Sequence, residues 1–333
     1  MYKIAVDVMG SDDAPVCELS GIKLALEELT HIKVIAFGKK EEIEAYGLKH
    51  ERLEYVYTDD KIIGTDDATT AFRLKKSASM IMAIQAVKDK KADAVVSAGN
   101  TGAYITAGLF MLGRIKGIRR PALATLFPTA TKGKYFVFAD LGAVVDATPE
   151  ILNQTGIVGT QLAKIMLNIE HPKVGLLNIG EEDKKGTTLY VETNKLLREN
   201  HKVDFIGNIE PRYIMDGRAN VIVADGFTGN IALKSYEGMQ QTITTVLKRE
   251  IMKSFGTKIG GLLIKPALKE LKATLDYEGI GGAVLAGVKS PLIKAHGTTT
   301  SFQFSSAIKI ATTFLEKDLV GEITKVLEKD TDK

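Results

Sequence analysis

AVVSAGNTGA, Ala94–Ala103, is a short apolar run that stops at Ser97 in a polar corner containing Gly99 and Gly102. Four other stretches repeat the pattern: IAVDVMGSD at Ile4–Asp12, FVFADLGA at Phe136–Ala143, VGLLNIGEEDKKG at Val174–Gly186 and VIVADGFTGN at Val221–Asn230. Glycine lets backbone N–H groups approach a ligand closely and tolerates the φ angles of a chain reversal. Where a helix follows, its first N–H groups are unpaired and point the same way, so each corner is a potential anion cradle. Corners of this kind at several strand ends suggest one composite site.

Working outward, the runs between corners alternate in type. Strands are expected at Lys3–Val8, Lys33–Phe37, Leu53–Tyr57, Ala94–Val96, Ala122–Leu126, Tyr135–Ala139, Val174–Leu177, Asp204–Ile206 and Val221–Ala224. Helices are expected at Pro15–Leu29, Thr69–Lys88, Thr101–Leu112, Pro149–Leu167 and Thr188–Arg198. Pro15 and Pro149 suit a first helical turn, where the missing N–H costs nothing. Continuous apolar strands linked by helices imply an α/β fold with a mainly parallel sheet and helices on both faces. In such sheets ligands bind beyond the carboxyl ends of the strands, where these corners fall.

With no Pro-rich or Ser-rich linker and no repeat, residues 1–333 read as a single α/β domain. One change of texture begins near Lys234. MQQTITTVLKREIMKSF and KIGGLLIKPALKELKATLDY keep helical spacing at Met239, Ile243, Val246, Leu247 and Ile251, and again at Leu268, Leu271 and Leu275. Gly256, Gly260 and Gly261 interrupt the run, so residues 236–277 are expected to form a projecting helical hairpin with its tip at those glycines.

Composition narrows the class. The 333 residues are 45% hydrophobic and 26% charged, ordinary values for a soluble globular protein. The net charge of +3 gives no argument for nucleic acid. Cys17 is the single cysteine, which leaves no intrachain disulfide or thiolate metal cluster and fits a reducing cytosol. MYKIAVDV at the start reads as a strand rather than a signal peptide, and no apolar run reaches the roughly 18–20 residues that span a bilayer. The expected setting is cytoplasmic.

The polar residues at the corners are the candidate site. In SAGNTGAYITAG, Ser97, Asn100 and Thr101 supply polar groups at a helix start while Gly99 and Gly102 clear space for a phosphate. A simple helix cap explains the same residues equally well. In NIGEEDKKGT, Lys184 and Lys185 suit a phosphate or a developing oxyanion, with Glu181, Glu182 and Asp183 beside them, though charge runs are usually solvated. In DGFTGN, Asp225, Thr228 and Asn230 surround a tight turn, again open to a capping explanation. IKAHG places Lys294 and His296 next to Gly297. No G-x-G-x-x-G fingerprint, Walker A loop, nucleophile elbow or paired-histidine metal motif is present. Cradles, lysines, amides and one histidine without a covalent nucleophile suit a reaction whose nucleophile arrives as a substrate.

In this order DVMGSDDAP, RLKKSASM, SAGNTGA, GRIKGIRRPALA, DLGAVVDATPE, LNIGEEDKKG, DGFTGNIALK and KAHG resemble bacterial phosphate acyltransferases of the PlsX type, from Ile4 to about Gly297. The resemblance implies transfer of a fatty acyl group from acyl carrier protein to inorganic phosphate, giving an acyl phosphate for phospholipid synthesis. It implies a fold similar to the isocitrate and isopropylmalate dehydrogenases, no metal or organic cofactor, and a homodimer at the inner membrane surface beside a downstream membrane acyltransferase. On this reading Asp7, Gly10, Ser97, Gly99, Asn100, Thr101, Gly102, Asn178, Gly180 and Thr228 bind phosphate or substrate, and Lys184, Lys185, His296, Asn230 and Asp225 serve catalysis. Lys75, Lys76, Arg114, Lys116, Arg119 and Arg120 would form a basic rim for the acidic carrier. Two positions depart from the usual motifs. Ser11 replaces a second glycine and retains a donor, whereas Val144 replaces an asparagine and cannot donate from its side chain. The hairpin, with Ile259, Leu262, Leu263 and Ile264 among Lys258, Lys265, Lys269 and Lys272, would pair subunits along its stems and touch the membrane at its tip. Phosphotransacetylase chemistry on acyl-CoA, or a non-catalytic membrane-recruiting scaffold, are the alternatives.

Overall fold

A computed structural model describes residues 1–275 and 281–328, without the side chains of Lys272 and Leu275. Its elements follow in order. The first stretch contains β1 (Tyr2–Asp7), α1 (Val16–Glu28), β2 (Ile32–Gly38), α2 (Lys40–Tyr46), β3 (Leu53–Tyr57), α3 (Ala71–Leu74), α4 (Ser79–Lys88), β4 (Ala94–Ser97), α5 (Thr101–Leu112) and β5 (Ala122–Pro128). Next come β6 (Tyr135–Ala139), α6 (Pro149–Leu167), β7 (Lys173–Leu177), α7 (Thr188–Glu199), β8 (Asp204–Ile209), β9 (Val221–Val223), α8 (Gly226–Met252), α9 (Phe255–Leu263) and α10 (Lys265–Leu275). The chain closes with β10 (Ala283–Ala286), β11 (Leu292–Lys294), α11 (Ser301–Glu316) and α12 (Leu319–Glu328).

Where residues 1–333 read as one domain, the chain groups into two compact units. The first holds Met1–Thr125, Lys164–Asn168 and residues 281–328; the second holds Leu126–Ala163 and residues 169–275. In the first unit the strand order is β3-β2-β1-β4-β11-β10-β5. Pairing is parallel from β3 through β11 and antiparallel on both sides of β10. The register sets Ile4 beside Ala94 and Val6 beside Val96, so β1 and β4 finish level and their corners emerge side by side. Ile4, Ala5, Val6, Val95 and Val96 are buried, as strands covered on both faces require.

The second unit carries β6-β9-β7-β8, all parallel. Phe127, Phe136, Phe138 and Tyr236 form its aromatic core, with ring centroids 5.2–6.1 Å apart.

Three local expectations change. The helix expected over Thr69–Lys88 is two: Lys75 leaves the helical region at ψ 63, and α4 restarts at Ser79. Strands β10 and β11 supplement the sequence reading; four and three residues long, they lack a readable period. The helical run turns at Lys253–Ser254, not at the glycines. Ser254 caps α9 in a reciprocal box with Thr257, and Gly256, Gly260 and Gly261 lie inside that helix. At Gly261 a Cβ would stand 2.4 Å from Ile251 Cγ2, so this glycine lets α9 lie close against α8. Residues 276 and 277 of the expected hairpin lie outside the described residues.

Candidate active site

At the end of β1 the buried Asp7 carboxylate accepts from Ser97 Oγ at 2.6 Å, Ser79 Oγ at 2.7 Å and Met9 N at 3.1 Å. Burial pushes its pKa up against those hydrogen bonds and the nearby Lys294 charge, which act to lower it. Lys294 ends β11 on the opposite side of β4 and is itself buried. Its ammonium donates to the Ala98 carbonyl at 3.1 Å and to the Ala295 carbonyl. The start of the β4 corner is thus gripped from both flanking strands, by a carboxylate through Ser97 and by an ammonium through Ala98.

The grip brings two corners into contact. A Cβ on Gly10 would stand 2.5 Å from Gly99 N, and one on Gly99 would stand 2.4 Å from Met80 Cε. At Gly10 the obstacle would be backbone, so only glycine permits the approach, whereas at Gly99 the tip of the flexible Met80 side chain would have to move. Asn100 caps α5 by accepting from Ala103 N at 2.9 Å. Thr101 and Gly102 open the helix, in the first turn, whose N–H groups have no partner within the helix. The KAHG loop joins the same place: Asp12 N donates to Gly297 O at 2.9 Å, beside the half-buried His296. Asp7, Gly10, Ser97, Gly99, Asn100, Thr101, Gly102 and His296 are therefore neighbours in the first unit. Lys294 and Ser79 complete the cluster; they lie inside the IKAHG and RLKKSASM motifs, whose sequence assigns neither a role.

The second unit assembles the other named residues around its own strand ends. After β6, Asp140 accepts from Gly142 N, Ala143 N and Val144 N at 3.3, 3.0 and 2.7 Å. The Val144 carbonyl then takes Gly226 N at 2.9 Å. Asp225 is the N-cap of α8, accepting from Phe227 N at 3.0 Å, Thr228 N at 2.9 Å and Thr228 Oγ1 at 2.7 Å, and from the Tyr190 hydroxyl. Burial works to raise its pKa, but the hydrogen bonds from Tyr190 and Thr228 prevail and hold it below the usual carboxylate range. Its acceptors, and the Thr228 hydroxyl, are thereby engaged in building the helix start. Asn230 is exposed one turn later, with its amide 3.7 Å from the place a Cβ on Gly142 would take.

After β7, Asn178 ties its own loop, accepting from Ile179 N at 2.8 Å and donating to Lys185 O at 3.0 Å. Gly186 turns this loop at φ +93, and Gly180 lies against Glu182 and Lys185. Lys184 and Lys185 are exposed, with Lys185 paired to Glu182 at 3.8 Å. Their acidic neighbours are drawn off: Asp183 to Arg198, Glu181 to Arg218.

In the expected basic rim, Lys75 is committed to Asp66 at 2.7 Å. Arg114, Lys116 and Arg120 line a groove of about 730 Å³ with Leu109 and Phe110 as its apolar wall. The hairpin carries its apolar stripe outward: Met239, Ile243, Leu262 and Ile264 are exposed, and Phe255 and Leu263 are 80% and 78% accessible. No helix among the described residues is long and apolar enough to cross a membrane.

Residues 2–321 match the family described as fatty acid synthesis protein. The chain is 46% identical over 333 residues to a phosphate acyltransferase of Streptococcus equi subsp. zooepidemicus strain H70, covering 100% of this chain and 99% of that one. It is 44% identical over 329 residues to a phosphate acyltransferase of Bacillus cereus strain B4264, covering 99% of both. Among solved structures it is similar in fold to a phosphotransacetylase from Streptococcus pyogenes, with TM-score 0.59, 17% identity and 94% of each chain covered. A 4-hydroxythreonine-4-phosphate dehydrogenase from Klebsiella pneumoniae gives TM-score 0.50 at 12% identity, covering 97% of this chain and 100% of that one.

Proposed function

The chain belongs to the fatty acid synthesis protein family and catalyses acyl transfer to phosphate; within that activity we propose that the acyl donor is an acyl carrier protein thioester. The observation that carries the site reading is the pair of glycine corners after β1 and β4, held in contact by Asp7, Ser97 and Lys294. An inorganic phosphate is cradled there by backbone N–H groups at the start of α5 and by the Thr101 hydroxyl. One phosphate oxygen attacks the thioester carbonyl. The new C–O bond forms as the carbonyl becomes an oxyanion, and collapse breaks the C–S bond to release the carrier's thiolate with an acyl phosphate. Donors aimed at the oxyanion and at the thiolate are the main catalytic need, each worth about 2.7–4 kcal/mol. His296, beside the corners, orients the reacting groups; within the second unit, Lys184, Lys185 and Asn230 are the residues whose loss should lower turnover. Asp225 serves by fixing the turn that carries Asn230.

The test is incubation with acyl carrier thioester and phosphate, trapping product with hydroxylamine. Phosphate-dependent hydroxamate is expected; hydroxamate only from coenzyme A thioesters would favour the phosphotransacetylase reading, and none from either donor would leave a recruiting scaffold. The groove at Arg114, Lys116 and Arg120 suits an acidic carrier, and its apparent affinity should weaken as salt rises. The outward apolar stripe of α8–α10 supports a homodimer and a peripheral membrane contact. Leu262→Glu with Leu263→Glu should release the protein from anionic vesicles in a flotation assay while the dimer persists; equal flotation would remove the membrane contact.

A further inference from the structure

In the second unit, the loop after β7 is gripped by buried amides that take no part in the acyl-transfer chemistry described above. Glu182, Asp183, Lys184 and Lys185 form a turn closed by Lys185 N, which donates to the Glu182 carbonyl at 3.0 Å. The same Glu182 carbonyl accepts from Asn208 Nδ2 at 2.8 Å, and the Lys185 carbonyl accepts from Asn178 Nδ2 at 3.0 Å. The carbonyls at both ends of the turn are therefore held by side chains buried on β8 and just after β7. A carbonyl can only accept, so the Asn208 nitrogen must face Glu182, which leaves its oxygen for Asn194. Asn194 of α7, also buried, donates to that oxygen at 3.0 Å and fixes the orientation of the amide.

Asn208 reaches the turn because β8 carries an extra residue. Its register on β7 sets Val174 beside Phe205 and then Gly175 beside Gly207, which makes Ile206 the inserted residue. Gly207 takes φ +104, a conformation natural to glycine. A one-residue insertion reverses the face that the following side chains address, and here it turns Asn208 toward α7 and the turn. Such bulges are rare between parallel strands and are over-represented beside active sites. Gly186 completes the seat, since a Cβ there would stand 2.6 Å from Asn178 Oδ1. The ion pairs on the outer side are Asp183 with Arg198, Glu181 with Arg218 and Glu182 with Lys185. These are exposed and hold geometry only loosely in water, so the buried amides are the stiffer restraint.

Resting on the reading that Lys184 and Lys185 serve turnover, we propose that Asn208 is a positioning residue for both. With Asn178 it fixes the backbone from which the two lysines project, so their charge is delivered without first ordering the loop. Asn194 acts one step further back, by holding the Asn208 amide the right way round.

The experiment is a double-mutant cycle on the full chain. It reads kcat/KM as hydroxamate from acyl carrier thioester and inorganic phosphate, beside urea unfolding of each variant. Asn208→Ala removes the donor to Glu182 and should lower kcat/KM by on the order of 100-fold. In a chain carrying Lys184→Ala and Lys185→Ala the same change should cost less than about threefold, because the turn then has no charge to deliver. An equal loss in both backgrounds would overturn the proposal, since an amide that only supports the fold acts whether or not the lysines are present. Wild-type kcat/KM in the lysine variant would overturn the reading of Lys184 and Lys185 itself. Asn208→Asp supplies a second readout. Its carboxyl donates to the Glu182 carbonyl only when protonated, so relative to Asn208→Ala it should regain activity as pH falls from about 8 to about 5.5. Glu182, Asp183 and Lys185 on the loop and Arg198 on α7 are common to both variants, so their titration cancels in the comparison. Equal activity of the two variants throughout that range would also overturn the donor role of Asn208.

Discussion

Replacing Gly10 by alanine tests whether contact between the first unit's two corners sets the active geometry. The new Cβ would meet Gly99 N at 2.5 Å, the Ala98 carbonyl carbon at 3.0 Å and Asp7 Oδ2 at 3.0 Å. Two of these are backbone atoms, so no side chain can swing away, and the corners must part by about 1 Å to restore ordinary contact. Displacement on that scale costs on the order of 100-fold in rate when it moves a positioned reactant, equivalent to about 2.7 kcal/mol of transition-state binding. Overpacking should also remove about 1–3 kcal/mol of stability. The assay is phosphate saturation kinetics with acyl carrier thioester, read as hydroxamate, beside urea unfolding of the same samples. Gly64→Ala is the control, because nothing lies within 4 Å of a Cβ there. Gly10→Ala with the wild type's kcat/KM for phosphate, in a folded protein, would refute the two-corner cradle.

Glu18→Gln should also separate from the wild type in stability. The folded carboxyl titrates at about 7 against 4.5 unfolded, so the native state holds the proton more tightly, and this advantage is lost as pH rises through that window. Urea unfolding at pH 4.5 and pH 8 should show the wild type losing about 3 kcal/mol relative to the variant; a constant difference would mean Glu18 titrates normally. Tyr190→Phe removes a hydrogen bond to the Asp225 carboxylate, with an expected loss of about 1.5–3 kcal/mol in thermal or urea unfolding. Lys184→Ala alters an exposed residue, so stability should stay within about 0.5 kcal/mol while turnover falls; unchanged kinetics would remove Lys184 from the mechanism.

The α/β alternation was legible because each apolar run ends in residues that cannot continue a buried strand. Leu53–Tyr57 and Tyr135–Ala139 match the structure, as do the helices Thr101–Leu112 and Pro149–Leu167. Burial of polar groups was not legible. Glu18 in VCELSGIK reads as the polar side of an amphipathic helix, and only the close lie of α11 across Gly21 shows that α1 is covered on that side too. The role of Lys294 was not legible either; its clamp on the β4 corner depends on β11 pairing beside β4, a strand too short to show a period. The hairpin glycines misled for a related reason. Glycine signals either a turn or a close approach, and at Gly261 the second meaning holds.

The two departures from the family's usual motifs have opposite structural weight. At Val144 the groups that matter belong to the main chain: its N–H goes to Asp140 and its carbonyl to Gly226 N. A valine supplies both as well as an asparagine would, so the corner after β6 keeps its shape while losing a side-chain donor. At Ser11 the main-chain role is again filled, by the N–H bond to Glu18, but the substitution adds a hydroxyl against a buried carboxylate. A change that subtracts a donor from a loop held by backbone bonds is absorbed locally. A change that adds a hydroxyl beside a buried carboxyl leaves a group titrating at about 7 next to Gly10, so the stability of this corner, unlike that of the corner after β6, should fall as pH rises.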